Sequence, residues 1–119
     1  MRKFDRFGVL IETRPWGEFH TFTENQPVTC KILMVHPGKR LSLQYHMKRE
    51  EFWVVLDGNP MITIGKKRVT AKPGDRFIIP RGTIHRIDGS KTGTRILEIA
   101  RGFFDEDDIV RLQDDHGRV

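Results

Sequence analysis

Gly38-Lys39-Arg40-Leu41-Ser42-Leu43-Gln44-Tyr45-His46-Met47-Lys48-Arg49-Glu50-Glu51, closing at Gly58, is the stretch whose reading decides the fold. A second stretch complements it, from Gly74 through Pro80-Arg81-Gly82-Thr83-Ile84-His85. Together they offer Gln44, His46, Glu51 and His85. Two imidazoles, a carboxylate and an amide oxygen suit a divalent transition metal, with room left for a ligand. Residues two apart on a strand share a face, so Gln44 and His46 point the same way. Glu51 has the wrong parity to join them on one straight strand. The reading therefore places a turn through Met47-Lys48-Arg49-Glu50, with Glu51 opening the next strand beside Trp53 and Val55. His85 follows the turn Pro80-Arg81-Gly82 and starts a strand of its own.

Outward from these stretches the apolar pattern is short and punctuated. Strands are expected at Phe7–Ile11, Gly17–Phe22, Cys30–Val35, Leu41–Tyr45, Glu51–Leu56, Met61–Ile64, Lys67–Thr70, Arg76–Ile79, His85–Ile87 and Arg95–Ala100. They are rich in Val, Ile, Phe and Thr and bounded by turn residues. Pro37-Gly38 and Pro73-Gly74 fit turns that need positive φ at glycine. Asp57-Gly58-Asn59-Pro60 and Ile64-Gly65-Lys66-Lys67 read as hairpin corners. No segment from Phe7 to Ala100 carries a helical period. Many short strands at close spacing argue for an all-β sandwich or jelly-roll barrel. The tail from Phe103 to Arg111 either opens a short helix capped by Asp105 or runs extended.

The chain has 119 residues, which suits a single domain over residues 1–119. Its net charge is +5 and is spread along the chain, so anionic small molecules are favoured as readily as polymers. Basic residues alternate with acids and no helix-turn-helix pattern is present, which argues against nucleic acid. No apolar run approaches the roughly 20 residues of a membrane-spanning helix. The single cysteine, Cys30, excludes an internal disulfide and is read as inert packing. With no secretion signal at Met1–Arg6, a cytoplasmic protein is expected. Trp16 and Trp53 are read as core or pocket wall. His20, His36 and His116 are read as surface.

At the ligand residues the chain resembles a cupin, the family of double-stranded β-helix jelly rolls. The pattern Gly-x5-(His)-x-His-x4-Glu-x6-Gly is met by Gly38, Gln44, His46, Glu51 and Gly58, with Gln44 in place of the first His. The pattern Gly-x5-Pro-x-Gly-x2-His-x3-Asn is met by Gly74, Pro80, Gly82 and His85, with Gly89 in place of Asn. The resemblance implies a metal held at Gln44, His46, Glu51 and His85. A narrower resemblance rests on Arg14-Pro15-Trp16-Gly17, Arg40–Gln44, Arg49-x-Glu51-x-Trp53, Ile79-Pro80-x-Gly82-Thr83-x-His85-Arg86 and Glu106–Arg111. These recur in order in the C-terminal isomerase domain of the type II phosphomannose isomerase/mannose-1-phosphate guanylyltransferases. That match spans about residues 14–118 and implies a stand-alone isomerase domain without guanylyl transfer. The family's His-rich residues near Met47-Lys48 and its His at Phe52 are missing here, which puts substrate and rate in question.

The resemblance implies a metal-dependent sugar-phosphate aldose–ketose isomerase, converting mannose 6-phosphate to fructose 6-phosphate. One divalent ion is expected, zinc first, with manganese, iron, cobalt and nickel as alternatives. Glu50, Arg49 and Arg101 are the expected catalytic residues. Arg40, Lys48 and Arg86 are the expected phosphate ligands, since planar or pointed cations suit phosphate. Two other readings stand beside this one. His46, Glu51 and His85 alone form a set that suits an iron(II) dioxygenase, and a non-catalytic sugar-phosphate or nucleotide-sugar binding cupin is the third. Expected partners are a small-molecule sugar phosphate and a second copy, through strand exchange of Met1–Thr13.

Overall fold

The computed structural model describes residues 2–119, and among them no helix forms. Twelve strands run in chain order: β1 Arg2–Phe4, β2 Leu10–Arg14, β3 Gly17–Thr21, β4 Thr29–Val35, β5 Leu43–Tyr45, β6 Arg49–Asp57, β7 Met61–Ile64, β8 Lys67–Thr70, β9 Arg76–Ile79, β10 His85–Asp88, β11 Thr94–Gly102 and β12 Val110–Gln113. Two antiparallel sheets stack face to face. One has the order β4-β11-β6-β9 and the other β12-β5-β10-β7-β8. This is the cupin-type double-stranded β-helix.

Period-two alternation builds the space between the sheets. Along β6, Arg49, Glu51, Trp53 and Val55 are buried while their neighbours are less so. Trp53, Val55, Ile79 and Ile96 from the first sheet meet Ile62 and Ile87 from the second in one apolar cluster. Each fully buried aliphatic side chain there contributes about 1.5–3 kcal/mol. The cluster fills one end of the barrel, and polar residues of the same inward rows occupy the other.

Turn geometry closes the strands. Gly58 has φ of +79°, and a Cβ there would run into the carbonyl oxygen of Gly93. Gly89 stands where the second cupin pattern carries Asn. A Cβ at that position would lie 2.8 Å from the His36 carbonyl oxygen and 3.1 Å from Val35 Cγ1, so the larger residue does not fit this corner.

The third sheet, β1-β2-β3, is joined to β6 through aromatic residues flanking its strands. Phe7 and Phe22 meet Phe52 with ring centres 6.2 and 5.5 Å apart. Residues 2–14 pair within their own chain here, and Met1 of the expected exchange segment lies outside the described residues.

Several local expectations shift. The first strand was expected from Phe7, but Asp5 Oδ1 accepts hydrogen bonds from the Phe7 and Val9 amides and holds residues 5–9 in a turn. β6 starts at Arg49 and not at Glu51, so the preceding turn is shorter than the spacing implied. The tail takes the extended alternative: Asp105 caps a turn through the Asp107 amide, and β12 follows. Cys30 is exposed, because it falls on the outward row of β4 with Ile32 and Met34. Trp16 is 73% exposed at the β2–β3 corner, stacked on Phe19, and is neither core nor pocket wall.

Candidate metal centre

Three strands deliver the ligating atoms. His46 follows β5 directly, Glu51 is the third residue of β6, and His85 opens β10. His85 lies directly opposite Gln44 in the β10–β5 ladder, so both face the barrel interior. The ligating atoms of His46, Glu51 and His85 all lie within 4.8 Å of one another, and all three residues are buried. His46 Nε2 is 3.4 Å from Glu51 Oε2, and His85 Nε2 is 3.7 Å from Glu51 Oε1.

The ring orientation is set from behind. His46 Nδ1 lies 2.6 Å from the Asp108 carbonyl oxygen, and His85 Nδ1 lies 2.8 Å from that of Thr83. A carbonyl only accepts, so each Nδ1 carries the proton and donates. Each Nε2 is therefore unprotonated, that of His46 accepting from Arg49 Nη2, and a donated Nδ1–H is the arrangement that orients metal-binding histidines. Burial pulls the His85 imidazole down to about 4, and it lowers His46 as well, with Arg49 adding repulsion to both. Both rings are neutral at neutral pH, as a metal ligand requires. His85 Nε2 is buried without a hydrogen-bond partner. An orphaned lone pair facing a carboxylate and a second imidazole fits a divalent cation.

Arg49 completes the floor. It is 6% exposed, its Nε donates to Glu51 Oε2 at 3.0 Å, and its Nη2 lies 3.2 Å from His46 Nε2. Phe104 covers the guanidinium at 4.3 Å. Gln44 lines the same cavity, and its Oε1 accepts from the Ser42 hydroxyl at 3.2 Å. One lone pair of that amide oxygen remains.

Glu98 enters the site from β11 and was missed in the sequence. Its row, Ile96-x-Glu98-x-Ala100, is otherwise apolar, and that single interruption is the signal that could have found it. It is 4% exposed and accepts from the Trp53 indole at 3.3 Å. Burial and then the neighbouring Glu51 carboxylate push its carboxyl up to about 7, against the pull of Lys31 and Trp53. Glu98 Oε2 has no hydrogen-bond partner.

The cavity that joins these groups has a volume of about 180 Å³. Wider cavities occur on the molecule, such as one of about 420 Å³ lined by Phe7, Ile62 and Phe77, but among the described residues no set of metal-ligating groups converges in them.

The other expected site residues lie elsewhere. Glu50 alternates to the opposite face from Glu51 and pairs with Arg101 at 3.8 Å. Arg101 also donates to the Phe22 carbonyl at 2.7 Å, which ties it to the N-terminal sheet. Arg40 forms two hydrogen bonds with Asp115. Arg86 faces away from His85 and donates to the Leu41 carbonyl and Gln113. Lys48 lies over Phe103. Of the expected catalytic and phosphate residues only Arg49 reaches the cavity.

The family described as mannose-6-phosphate isomerase C-terminal matches residues 10–114. The chain belongs to this family. Among its relatives, the xanthan biosynthesis protein XanB of Xanthomonas campestris pv. campestris is 36% identical over 108 residues, covering 89% of this chain and 23% of that protein. Mannose-1-phosphate guanylyltransferase ManC of Salmonella typhimurium is 33% identical over 108 residues, covering 89% and 22%. The chain thus spans less than a quarter of the length of these relatives. Oxalate decarboxylase from Bacillus subtilis shares the fold, with a TM-score of 0.66 and 22% identity over 73% of this chain and 24% of that one. Among the described residues of this family member no helix is long and apolar enough to cross a membrane.

Proposed function

We propose that residues 14–118 act as one metal-dependent sugar-phosphate isomerase domain that interconverts mannose 6-phosphate and fructose 6-phosphate. The observation that carries this reading is the convergence of His46, Glu51 and His85, with both unprotonated Nε2 atoms close to the shared carboxylate, at 3.4 and 3.7 Å. Membership of a family described by mannose-6-phosphate isomerase supports the choice of substrate. Zinc is the proposed ion, held by His46, Glu51 and His85 with the Gln44 amide oxygen as a fourth donor. Such a cation supplies Lewis acidity toward the C1 and C2 oxygens of an open-chain sugar.

The chain's own groups do the rest. Glu98 Oε2 accepts no hydrogen bond and lies 3.6 Å from Lys31 Nζ, and a carboxyl poised near neutrality can take a proton from C2 and return it to C1. Arg49 offsets the charge of Glu51 and fixes its orientation. Leu33, Leu41 and Trp53 wall the cavity and limit water. A homodimer is part of the proposal, as is action on a small sugar phosphate.

The test is direct. Protein stripped with a chelator and reloaded separately with zinc, cobalt, manganese, nickel or iron(II) is given mannose 6-phosphate, and fructose 6-phosphate is measured. Turnover is expected with at least one ion and is lost in Glu51→Gln and Glu98→Gln. No product with any ion overturns the isomerase reading. The same two-His, one-carboxylate set also favours an iron(II) dioxygenase. Oxygen consumption by the iron-loaded protein, without isomerisation, would select that reading.

A further inference from the structure

The cations of the cavity mouth differ in how they are compensated. Lys31 Nζ lies 3.6 Å from both Glu98 and Glu106. Arg118 is clamped by Asp114, with Nε and Nη2 both donating to the carboxylate. Arg49 on the floor is paired with Glu51. Arg111 is different. It lies in β12 directly opposite Gln44 of β5, and cross-strand partners point to the same side of a sheet, so it faces the metal site. It is half-buried, and its Nε is buried with no hydrogen-bond partner. Among the described residues no carboxylate lies within ion-pair distance of it.

An unpaired guanidinium in a half-buried position is costly, because its Nε–H has given up water without replacement. A ligand carrying an oxyanion removes that cost, and the guanidinium fork suits phosphate oxygens in particular. The cavity is smaller than the roughly 300–1,000 Å³ of clefts for drug-sized ligands, and so suits a small polar molecule.

We propose that Arg111, beside Arg118 at the cavity mouth, is the anchor for the phosphate group of the substrate. Naming that anion as a sugar phosphate rests on the isomerase reading. The anion site itself rests on the geometry of β12. Arg40, Lys48 and Arg86, the expected phosphate ligands, have their donors committed or displaced outside the cavity.

Calorimetric binding of mannose 6-phosphate, inorganic phosphate and neutral mannose to the zinc-loaded full chain tests the assignment. Arg111→Gln is expected to weaken both phosphate-bearing ligands about 10- to 100-fold, the loss of one charge-assisted pair of hydrogen bonds. Mannose binding stays unchanged. Arg111→Lys keeps the charge but not the fork and falls between the two, and Arg68→Gln, on exposed β8, matches the wild type as a charge control. Mannose 6-phosphate bound by Arg111→Gln within about twofold of wild type overturns the proposal. If the Gln variant has a lowered melting point, Arg111→Lys decides: affinity equal to wild type at wild-type stability overturns it, and intermediate affinity supports it. Failure of the two readings is distinguishable. Phosphate bound through Arg111 without any fructose 6-phosphate sinks the isomerase and leaves the anion site. Turnover with an unchanged KM in Arg111→Gln sinks the anion site alone.

Discussion

Removing the Glu51 carboxylate should destabilise the metal-free protein far more than its size suggests, because it strands a buried cation. Arg49 is 6% exposed, and its guanidinium donates to Glu51 Oε2 at 3.0 Å and to the Asp105 carbonyl at 3.2 Å. Glu51→Gln keeps the shape but removes the only negative charge in contact with Arg49 among the described residues. Breaking a buried ion pair from one side costs about 3–5 kcal/mol. A chain of this size has a total stability of about 5–15 kcal/mol, so the loss is a large share. Replacing both members removes the stranded charge. The double variant Arg49→Met/Glu51→Gln should therefore be at least about 2 kcal/mol more stable than the sum of the two single losses. Urea titration of chelator-treated protein reads this directly, provided the m-value stays constant. If the double variant loses the full sum of the single effects, the two side chains are not coupled and the argument for a charge-compensated floor fails.

Three further outcomes follow from other parts of the molecule. Gly58→Ala should cost about 2 kcal/mol or more, since a φ of +79° is strained for alanine and its Cβ meets the Gly93 carbonyl, whereas Gly65→Ala meets nothing within 4 Å and loses only the φ strain; equal melting points for the two would refute the collision. In metal-free protein His85, held down to about 4, contributes stability that is present above about pH 6.5 and lost as pH falls, while Glu98, raised to about 7, contributes stability of the opposite slope that is lost as pH rises from about 4.5. Glu98→Gln should thus steepen the rise of stability with pH between those values in urea midpoints, and an unchanged slope refutes it. Zinc at 100 times its Kd should stabilise the wild type by about 2.7 kcal/mol and should not stabilise His85→Ala, as read by thermal melts; equal stabilisation of the two would place the ion elsewhere.

Much of the site was legible because its spacing encodes its geometry. Parity along Gln44-x-His46 and along Glu51-x-Trp53-x-Val55 correctly separated inward from outward rows, and the same rule explains why Glu50 and Arg101 fall outside the cavity. Applied strictly, parity already argued against Glu50, since its neighbour Glu51 took the inward position. What could not be read was which cations reach the cavity. Arg40, Lys48 and Arg86 are adjacent in sequence to the candidate ligands yet point elsewhere, whereas Lys31 and Arg111 are distant in sequence and arrive by strand pairing, and Arg118 arrives from the tail clamped to Asp114. Glu98 interrupts an apolar row, but that row alone does not say which strands close over the carboxylate and bury it.

By itself the sequence determined the all-β architecture and singled out His46, Glu51 and His85 as a group that could hold a metal ion, because alternation and turn glycines act over a few residues. Only the tertiary structure decided the company those ligands keep: the neutral tautomers set by the Asp108 and Thr83 carbonyls, the raised carboxyl of Glu98 and the unpaired Arg111. The physical reason is that desolvation and charge pairing depend on which strands meet, and strands that meet here come from opposite ends of the chain.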